Sequence, residues 1–361
     1  MIEDGAGACG APIADRRGAI ADRRSESGEV RVRAVRCREG RVEVVDVAAP
    51  AGPGVAVRIA SAGICGSDLH LVRSDVFAIG VTLGHEIAGT AEDGTPVAIE
   101  PVQPCGACAP CRGGDYQRCV RGPAMVMGTG LDGGMAERVV VPARCLVRLP
   151  AGVAPRDACL VEPLAVAVHG FAQAGLRGGM RVAVVGGGSI GLAAVAVAHA
   201  AGAKVDLVAR HDRQREAGER LGATALTADA RAPADAGAPG APGEQGGYDL
   251  VVDAAGTASA LAHAVALARP GATLLLLASY WEGLELPGFL LCMKEVRVVP
   301  AIMYGRRGAA RDIDVAAALL ADAPEIARAL ITHRFPLDAA VAAFDAAADR
   351  ASGAIKVVLE P

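Results

Sequence analysis

Aromatic side chains are scarce in this sequence: five Phe, four Tyr and one Trp make up 3% of its 361 residues. Long apolar runs are missing too, and without an uninterrupted stretch of about 20 apolar residues no helix is expected to span a bilayer. Neither sign of charge dominates, since 36 basic and 40 acidic side chains leave a net charge of -4. No basic stripe interleaved with aromatics follows the chain, so nucleic acid is excluded as an expected partner. Residues 1–29 carry no apolar segment of the kind that directs secretion. A cytoplasmic protein without membrane contact is therefore expected. Thiols stay reduced in that compartment, so the ten cysteines point to metal binding or catalysis more than to disulfides.

What is present can fill two cores. A chain of 361 residues exceeds what one core usually supports, and 52% of it is hydrophobic. Residues 1–29, with "ADRR" at 14–17 and again at 21–24, hold too few apolar groups to offset the entropy of ordering and are expected to form a disordered tail. From Val30 to about residue 150, short β-prone runs such as "VRVRAV", "RVEVVDV" and "ERVVVPA" alternate with Gly, Pro and Asp, the pattern of an antiparallel, barrel-like domain. Around Met180 the pattern changes. "RVAVVGGGSIGLAAVAVAHAAGAKVDLVAR" reads as a strand, a glycine turn, an Ala-rich helix closed by Gly202 and a second strand, one unit of a parallel sheet. "YDLVVDAAG" and "GATLLLLAS" extend that sheet, and the Pro/Gly/Ala-rich stretch 227–247 is expected as a surface loop. "AIKVVLEP" is a final strand, expected to rejoin the first domain.

"PCGACAPCRGGDYQRC" sets Cys105, Cys108, Cys111 and Cys119 in a C-x2-C-x2-C-x7-C spacing on a Gly/Pro-rich loop that can wrap four thiolates around one ion. A ferredoxin-type iron-sulfur site wants about three residues before its last cysteine and a proline after it, whereas Val120 follows here. Zinc is the expected ion. Four thiolates fill its tetrahedron, so this site is structural and the chemistry must lie elsewhere. "GICGSDLH" offers Cys65, Ser67, Asp68 and His70, "GHE" offers His85 and Glu86, and "VEPLAVAVH" offers Glu162. Any one of these reads more simply as a packed side chain. A thiolate, an imidazole and a carboxylate together make three ligands, which leave zinc the open position that catalysis needs.

With these motifs in order, together with "DGGMAERVVVP", "VVGGGSIGL" and the ending "GAIKVVLEP", the sequence resembles the zinc-dependent medium-chain alcohol dehydrogenases, most closely their sorbitol (polyol) and threonine dehydrogenase branches. The resemblance runs from about Val30 onward. It implies an α/β fold in three parts: a GroES-like β-rich catalytic domain over 30–171, a Rossmann domain with a doubly wound parallel sheet over 172–303, and a return to the catalytic domain over 304–361. Two zinc ions per chain are implied, with Cys65 and His85 as ligands of the catalytic one and either Glu86 or Glu162 as the third, both near the ion. Asp68 matches a position that orients the ligating histidine, and Ser67 and His70 match the family's proton relay. The implied reaction moves hydride between a nicotinamide coenzyme and a secondary alcohol or polyol; zinc acidifies the hydroxyl while Ser67 and His70 carry its proton out. Homodimers or homotetramers are implied in the same way.

Gly186, Gly188 and Gly191 form G-x-G-x-x-G, a weak signal among 46 glycines until its place is considered, after a strand and at a helix start. There Ser189 and Ile190 join the amides that attract pyrophosphate. Lys356 matches a position where the family often sets a base against that pyrophosphate, although a solvated strand lysine explains it equally. An NAD enzyme carries an acid at the end of the second strand, and alignment with the family puts Ala209 there, followed by Arg210 and His211. Without a carboxylate to repel a 2'-phosphate, and with a guanidinium beside it, NADP(H) is expected in preference to NAD(H). Asp206 is the objection, being about twenty residues past Gly186, but it falls inside the strand.

Cys37, Cys145, Cys159 and Cys292 show no ligand spacing and read as packed thiols, and His199 and His263 as structural. His169 takes no assigned role. Phe77, Met127, Tyr280, Trp281 and Phe289 are candidates for the substrate pocket wall. Two rival readings share these residues: a reductase of aldehydes or ketones, and a non-catalytic NADPH-binding sensor. The sensor would need the glycine turn but not Cys65, His85, Ser67 and His70 together.

Overall fold

The computed structural model describes residues 23–24, 30–74, 80–227, 247–281, 283–349 and 351–361. Phe77 and most of the stretch 227–247 lie outside the described residues, as does all of 1–29 except Arg23–Arg24. That pair is a strand antiparallel to Val30–Arg38, with Arg24 opposite Val30.

Six parallel strands form the sheet around the glycine turn, in the spatial order Thr224–Leu226, Lys204–Val208, Arg181–Val185, Tyr248–Asp253, Ala268–Leu276 and Arg297–Pro300. Along the chain this is the doubly wound order 3-2-1-4-5-6 of dinucleotide-binding folds. Its strands are continuous apolar runs because both faces are covered. Val182 and Val184 pack into one core with the helices Val161–Ala174 and Ser189–Ala200, while Ala183 and Val185 pack into another with Ala258–Leu267.

A second, seven-stranded sheet runs Ile331–Pro336, Lys356–Glu360, Val55–Ile64, Glu86–Ala91, Pro96–Ile99 and Leu146–Arg148, with Arg138–Val141 also paired to Val55–Ile64. Val55–Ile64 begins half-exposed, with Arg58 facing out between Val57 and Ile59, and becomes fully buried toward Ile64. There Gly63 stands between Glu86 on one side and Val358 on the other. The last strand thus reaches the catalytic sheet after the chain has built the coenzyme sheet. Among the described residues no helix is long and apolar enough to cross a membrane.

Candidate active site and coenzyme cleft

The four-cysteine loop folds around a short helix, Ala109–Gly113, and a turn, Tyr116–Arg118. Cys111 Sγ lies 3.3 Å from Cys108 Sγ and 3.9 Å from Cys105 Sγ. Disulfide sulfurs sit about 2.05 Å apart, so these are free thiols. A tetrahedron with Zn–S arms of about 2.3 Å has edges of about 3.8 Å, and the observed separations fit it. Backbone N–H groups of Cys105 and Cys108 donate to Cys119 Sγ and Cys105 Sγ, both at 3.4 Å. Backbone donors pull the Cys108 thiol down to about 6 and also lower Cys119, whereas burial and the neighbouring thiols push Cys111 up to about 12. Backbone donors thus favour negative sulfur at Cys108 and Cys119, the form of donor that zinc requires. It is anchored to the segment between the domains: Arg306 N–H donates to Gly114 O at 3.1 Å, and the Tyr116 hydroxyl to Gly305 O at 3.2 Å and to Glu100.

Val55–Ile64 delivers Cys65, which caps the helix Gly66–Arg73. Asp68 Oδ2 accepts the Cys65 N–H at 2.9 Å, fixing the first turn, which carries Ser67, while His70 lies in the last turn of the same helix. Glu86 opens the neighbouring strand directly opposite Gly63. The ligand atoms of Cys65, His85 and Glu86 all lie within 4.8 Å of one another. His85 Nδ1 faces Asp68 Oδ1 at 3.5 Å, and its Nε2 faces Ser67 Oγ at 3.5 Å. Asp68 Oδ1, His85 Nδ1 and Glu86 Oε2 are buried without a hydrogen bond. The first two face each other, while the orphaned Glu86 Oε2, with the Cys65 thiol and the His85 ring beside it, fits a divalent cation such as zinc. Burial disfavours charge on His85, but Asp68 and Cys65 outweigh it and hold the imidazole well above its ordinary pKa. The site is thus built to attract positive charge. A Cβ on Gly63 would fall 1.9 Å from Glu86 Oε2, so this position must be glycine for the carboxylate to sit there.

Lys356 is a correction. Its ammonium neither faces solvent nor reaches the coenzyme turn; it is buried, donating to Glu86 Oε1 at 2.5 Å and to Ile64 O at 3.1 Å. The cause is register, because Val357 pairs with Ile64 and sets the preceding residue beside Glu86. Burial alone would lower the lysine's pKa, but Glu86 and Cys65 reverse the shift and keep it charged. Glu162, at the start of Val161–Ala174, stands outside the close group of three. Burial pushes its carboxyl up to about 7, with Glu86 adding and His85, Lys356 and Tyr304 opposing. Of the two glutamates considered, the structure brings Glu86 to Cys65 and His85.

A cleft of about 950 Å³ opens where Arg181–Val185 and Tyr248–Asp253 end, the switch point of the sheet, and Gly186, Gly188, Arg210, His211, His263 and Asp349 line it. Gly186 has φ +111°, which favours glycine, and a Cβ on Gly191 would lie 1.8 Å from Gly186 O, so the helix packs on the turn itself. A Cβ on Gly188 would meet nothing; that side is open. Ser189 and Ile190 start the helix, whose first N–H groups lack helical acceptors and suit an anion. Ala209 is buried and Arg210 exposed. Asp206 accepts the Tyr248 hydroxyl at 2.6 Å within its strand, which occupies the carboxylate away from the cleft.

His263, read from sequence as structural, is a cleft residue that the reading missed; its signal was position on the helix after the fourth strand of the nucleotide fold. His169 is buried with Nδ1 2.8 Å from Asp312 Oδ2. The expected pocket wall largely dissolves. Met127 is buried in the catalytic core, Phe289 points outward, and the Tyr280 hydroxyl donates to Asp253 Oδ2 at 2.5 Å. Trp281 instead stacks on His70.

Comparisons with known proteins agree with this arrangement. The family profile "Alcohol dehydrogenase GroES-like domain" matches residues 52–151, and "Zinc-binding dehydrogenase" matches 189–321. D-xylulose reductase A of Aspergillus niger is 30% identical over 324 residues, spanning 84% of this chain and 88% of that protein. Galactitol-1-phosphate dehydrogenase from Escherichia coli aligns with a TM-score of 0.80 at 28% identity, covering 91% of this chain and 100% of that one. A zinc-binding dehydrogenase of inferred function from Sinorhizobium meliloti 1021, bound to NADP, aligns with a TM-score of 0.79 at 31% identity over 92% and 100%. With its GroES-like and Rossmann halves and its thiolate-imidazole-carboxylate site, this chain belongs to the zinc-dependent medium-chain alcohol dehydrogenase family and is a zinc-dependent alcohol oxidoreductase.

Proposed function

We propose that this enzyme moves hydride between NADP(H) and a polyol or similar secondary alcohol, or the corresponding carbonyl, using one structural and one catalytic zinc site per chain. The observation that carries the reading is the group Cys65, His85 and Glu86, with Ser67 Oγ 3.5 Å from His85 Nε2. Bound there, zinc supplies a Lewis acid that polarises the substrate oxygen, and the nicotinamide supplies the hydride acceptor. Cys65, His85 and Glu86 would hold the ion, Asp68 holds the His85 ring through Nδ1 and so leaves Nε2 as the nitrogen that would serve as donor, and Lys356 balances the buried charge of Glu86. Ser67 Oγ takes the hydroxyl proton and hands it to His70 for release; in the carbonyl-reducing direction the same groups return it. Neither direction uses a nucleophilic side chain.

Polyol chemistry is supported by relatives named for D-xylulose and galactitol-1-phosphate. The preference for NADP(H) is supported by Arg210 on the cleft wall and by the absence of a carboxylate at Ala209. The reading includes a cytoplasmic homodimer or homotetramer, which light scattering checks. Metal analysis and turnover on a panel of polyols test the core of the proposal: about two zinc per chain are expected, and Cys65→Ala should lose one and abolish turnover. Full activity in that variant would overturn the catalytic-zinc assignment.

A further inference from the structure

The single tryptophan of this chain lies at the boundary between its halves. Trp281 follows the strand Ala268–Leu276 of the coenzyme sheet, and its half-exposed ring stacks on the His70 imidazole of the catalytic domain, with centroids 4.0 Å apart and planes 15° from parallel. Both partners are anchored. The preceding Tyr280 donates its hydroxyl to Asp253, and Asp253 also accepts the N–H groups of Ala255 at 2.9 Å and Gly256 at 3.3 Å. On the other side, His70 rides the helix whose first turn Asp68 fixes. Among the described residues the His70 ring takes part in no hydrogen bond, so the stack is its one directional contact. An imidazole held only by its own backbone would sample several rotamers.

We propose that Trp281 is a positioning residue for the His70 imidazole: its indole restricts the relay ring to one stacked orientation beside the helix that carries Ser67, and does so only while the end of the coenzyme sheet lies against that helix. The inference rests on the dehydrogenase reading for its kinetic consequence, but the contact itself does not depend on that reading. Misorienting His70 slows proton departure without touching substrate binding. Trp281→Ala should therefore lower kcat about 3- to 10-fold, the population factor that an aromatic pair supplies, leave KM for the polyol unchanged, and raise the solvent deuterium isotope effect on kcat. Trp281→Phe, which keeps a flat ring, should restore most of the rate.

The test combines these kinetics on the zinc-loaded enzyme with acrylamide quenching of the lone tryptophan in wild type and His70→Ala. Removing the imidazole should expose the indole and increase quenching. Unchanged quenching overturns the stack. Wild-type kcat and isotope effect in Trp281→Ala overturn the positioning role, as does a rise in KM at constant kcat, which would make Trp281 a substrate contact. Quenching needs neither substrate nor coenzyme. If it responds to His70→Ala while no alcohol is turned over, the dehydrogenase reading fails and the inter-domain contact stands.

Discussion

Replacing Lys356 by methionine removes one partner of the buried pair at the proposed catalytic metal site. Both side chains are 1% exposed, and the ammonium lies 2.5 Å from Glu86 Oε1. Losing one member of such a pair strands the other charge in a low-dielectric interior, which costs about 3–5 kcal/mol. Methionine keeps the volume and the apolar stem, so little of that loss is cavity. A loss of about 3 kcal/mol lowers the midpoint of a domain this size by roughly 6–12 °C. The assay is thermal unfolding of zinc-stripped and zinc-loaded protein. The stripped variant should lose the full amount and the loaded one less, because a divalent cation on Glu86 replaces part of the missing positive charge. Adding Glu86→Gln to Lys356→Met should recover stability, since removing both charges relieves the penalty. A single variant within about 1 kcal/mol of wild type, or a double variant no better than the single, would refute the reasoning.

Arg210→Ala should raise KM for NADP+ about 10- to 100-fold with little change for NAD+, as expected when a charged hydrogen bond worth about 1.5–3 kcal/mol is lost; equal effects on both coenzymes would remove the arginine from the specificity argument. Gly188→Ala, which meets open space, should leave the unfolding midpoint unchanged yet weaken coenzyme binding about tenfold or more, whereas Gly191→Ala, 1.8 Å from Gly186 O, should destabilise the fold itself. Calorimetry and coenzyme titration separate the two, and a reversed pattern would sink the account of the turn. Asp312→Asn tests the pair with His169. Burial raises the Asp312 pKa, but His169, the Gly305 N–H and Arg307 outweigh it and set it below the ordinary carboxylate range. A depressed carboxyl stabilises the fold above its unfolded value near 3.9 and loses that contribution as pH falls through the lower folded value. The variant should therefore be about 1–3 kcal/mol weaker at neutral pH, with the gap narrowing below about pH 4. A gap constant down to acid unfolding would contradict this.

Local chemistry was the readable part. The glycine turn, the strands on either side of it and the four-cysteine loop announce themselves because their geometry depends on residues a few positions apart. The metal site was legible as a set of donors but not as a ranked one. Glu86 and Glu162 carry the same functional group, and only the pairing of Glu86 with Gly63, together with the room that Gly63 leaves, distinguishes them. Lys356 misled for a similar reason. Strand alternation cannot say which neighbour a buried lysine meets, and its partner is fixed by the pairing of Val357 with Ile64, far away in sequence. Met127 failed as a pocket residue because a buried methionine and a pocket methionine look alike in a string. Asp206 shows the opposite case: the spacing rule points to the ribose, its place inside the strand already argues against that, and the Tyr248 hydroxyl, from another strand, occupies the carboxylate.

The register that places Lys356 beside Glu86 also sets an order of events during synthesis. Cys65, His85 and Glu86 leave the ribosome early, while the strand carrying their counter-charge follows only after all six strands of the coenzyme sheet have been made. Until then the nascent site presents a thiol, an imidazole and an unbalanced carboxylate to whatever cation is at hand. Until Lys356 is made, the Glu86 carboxylate therefore lacks the partner that it has in the folded chain.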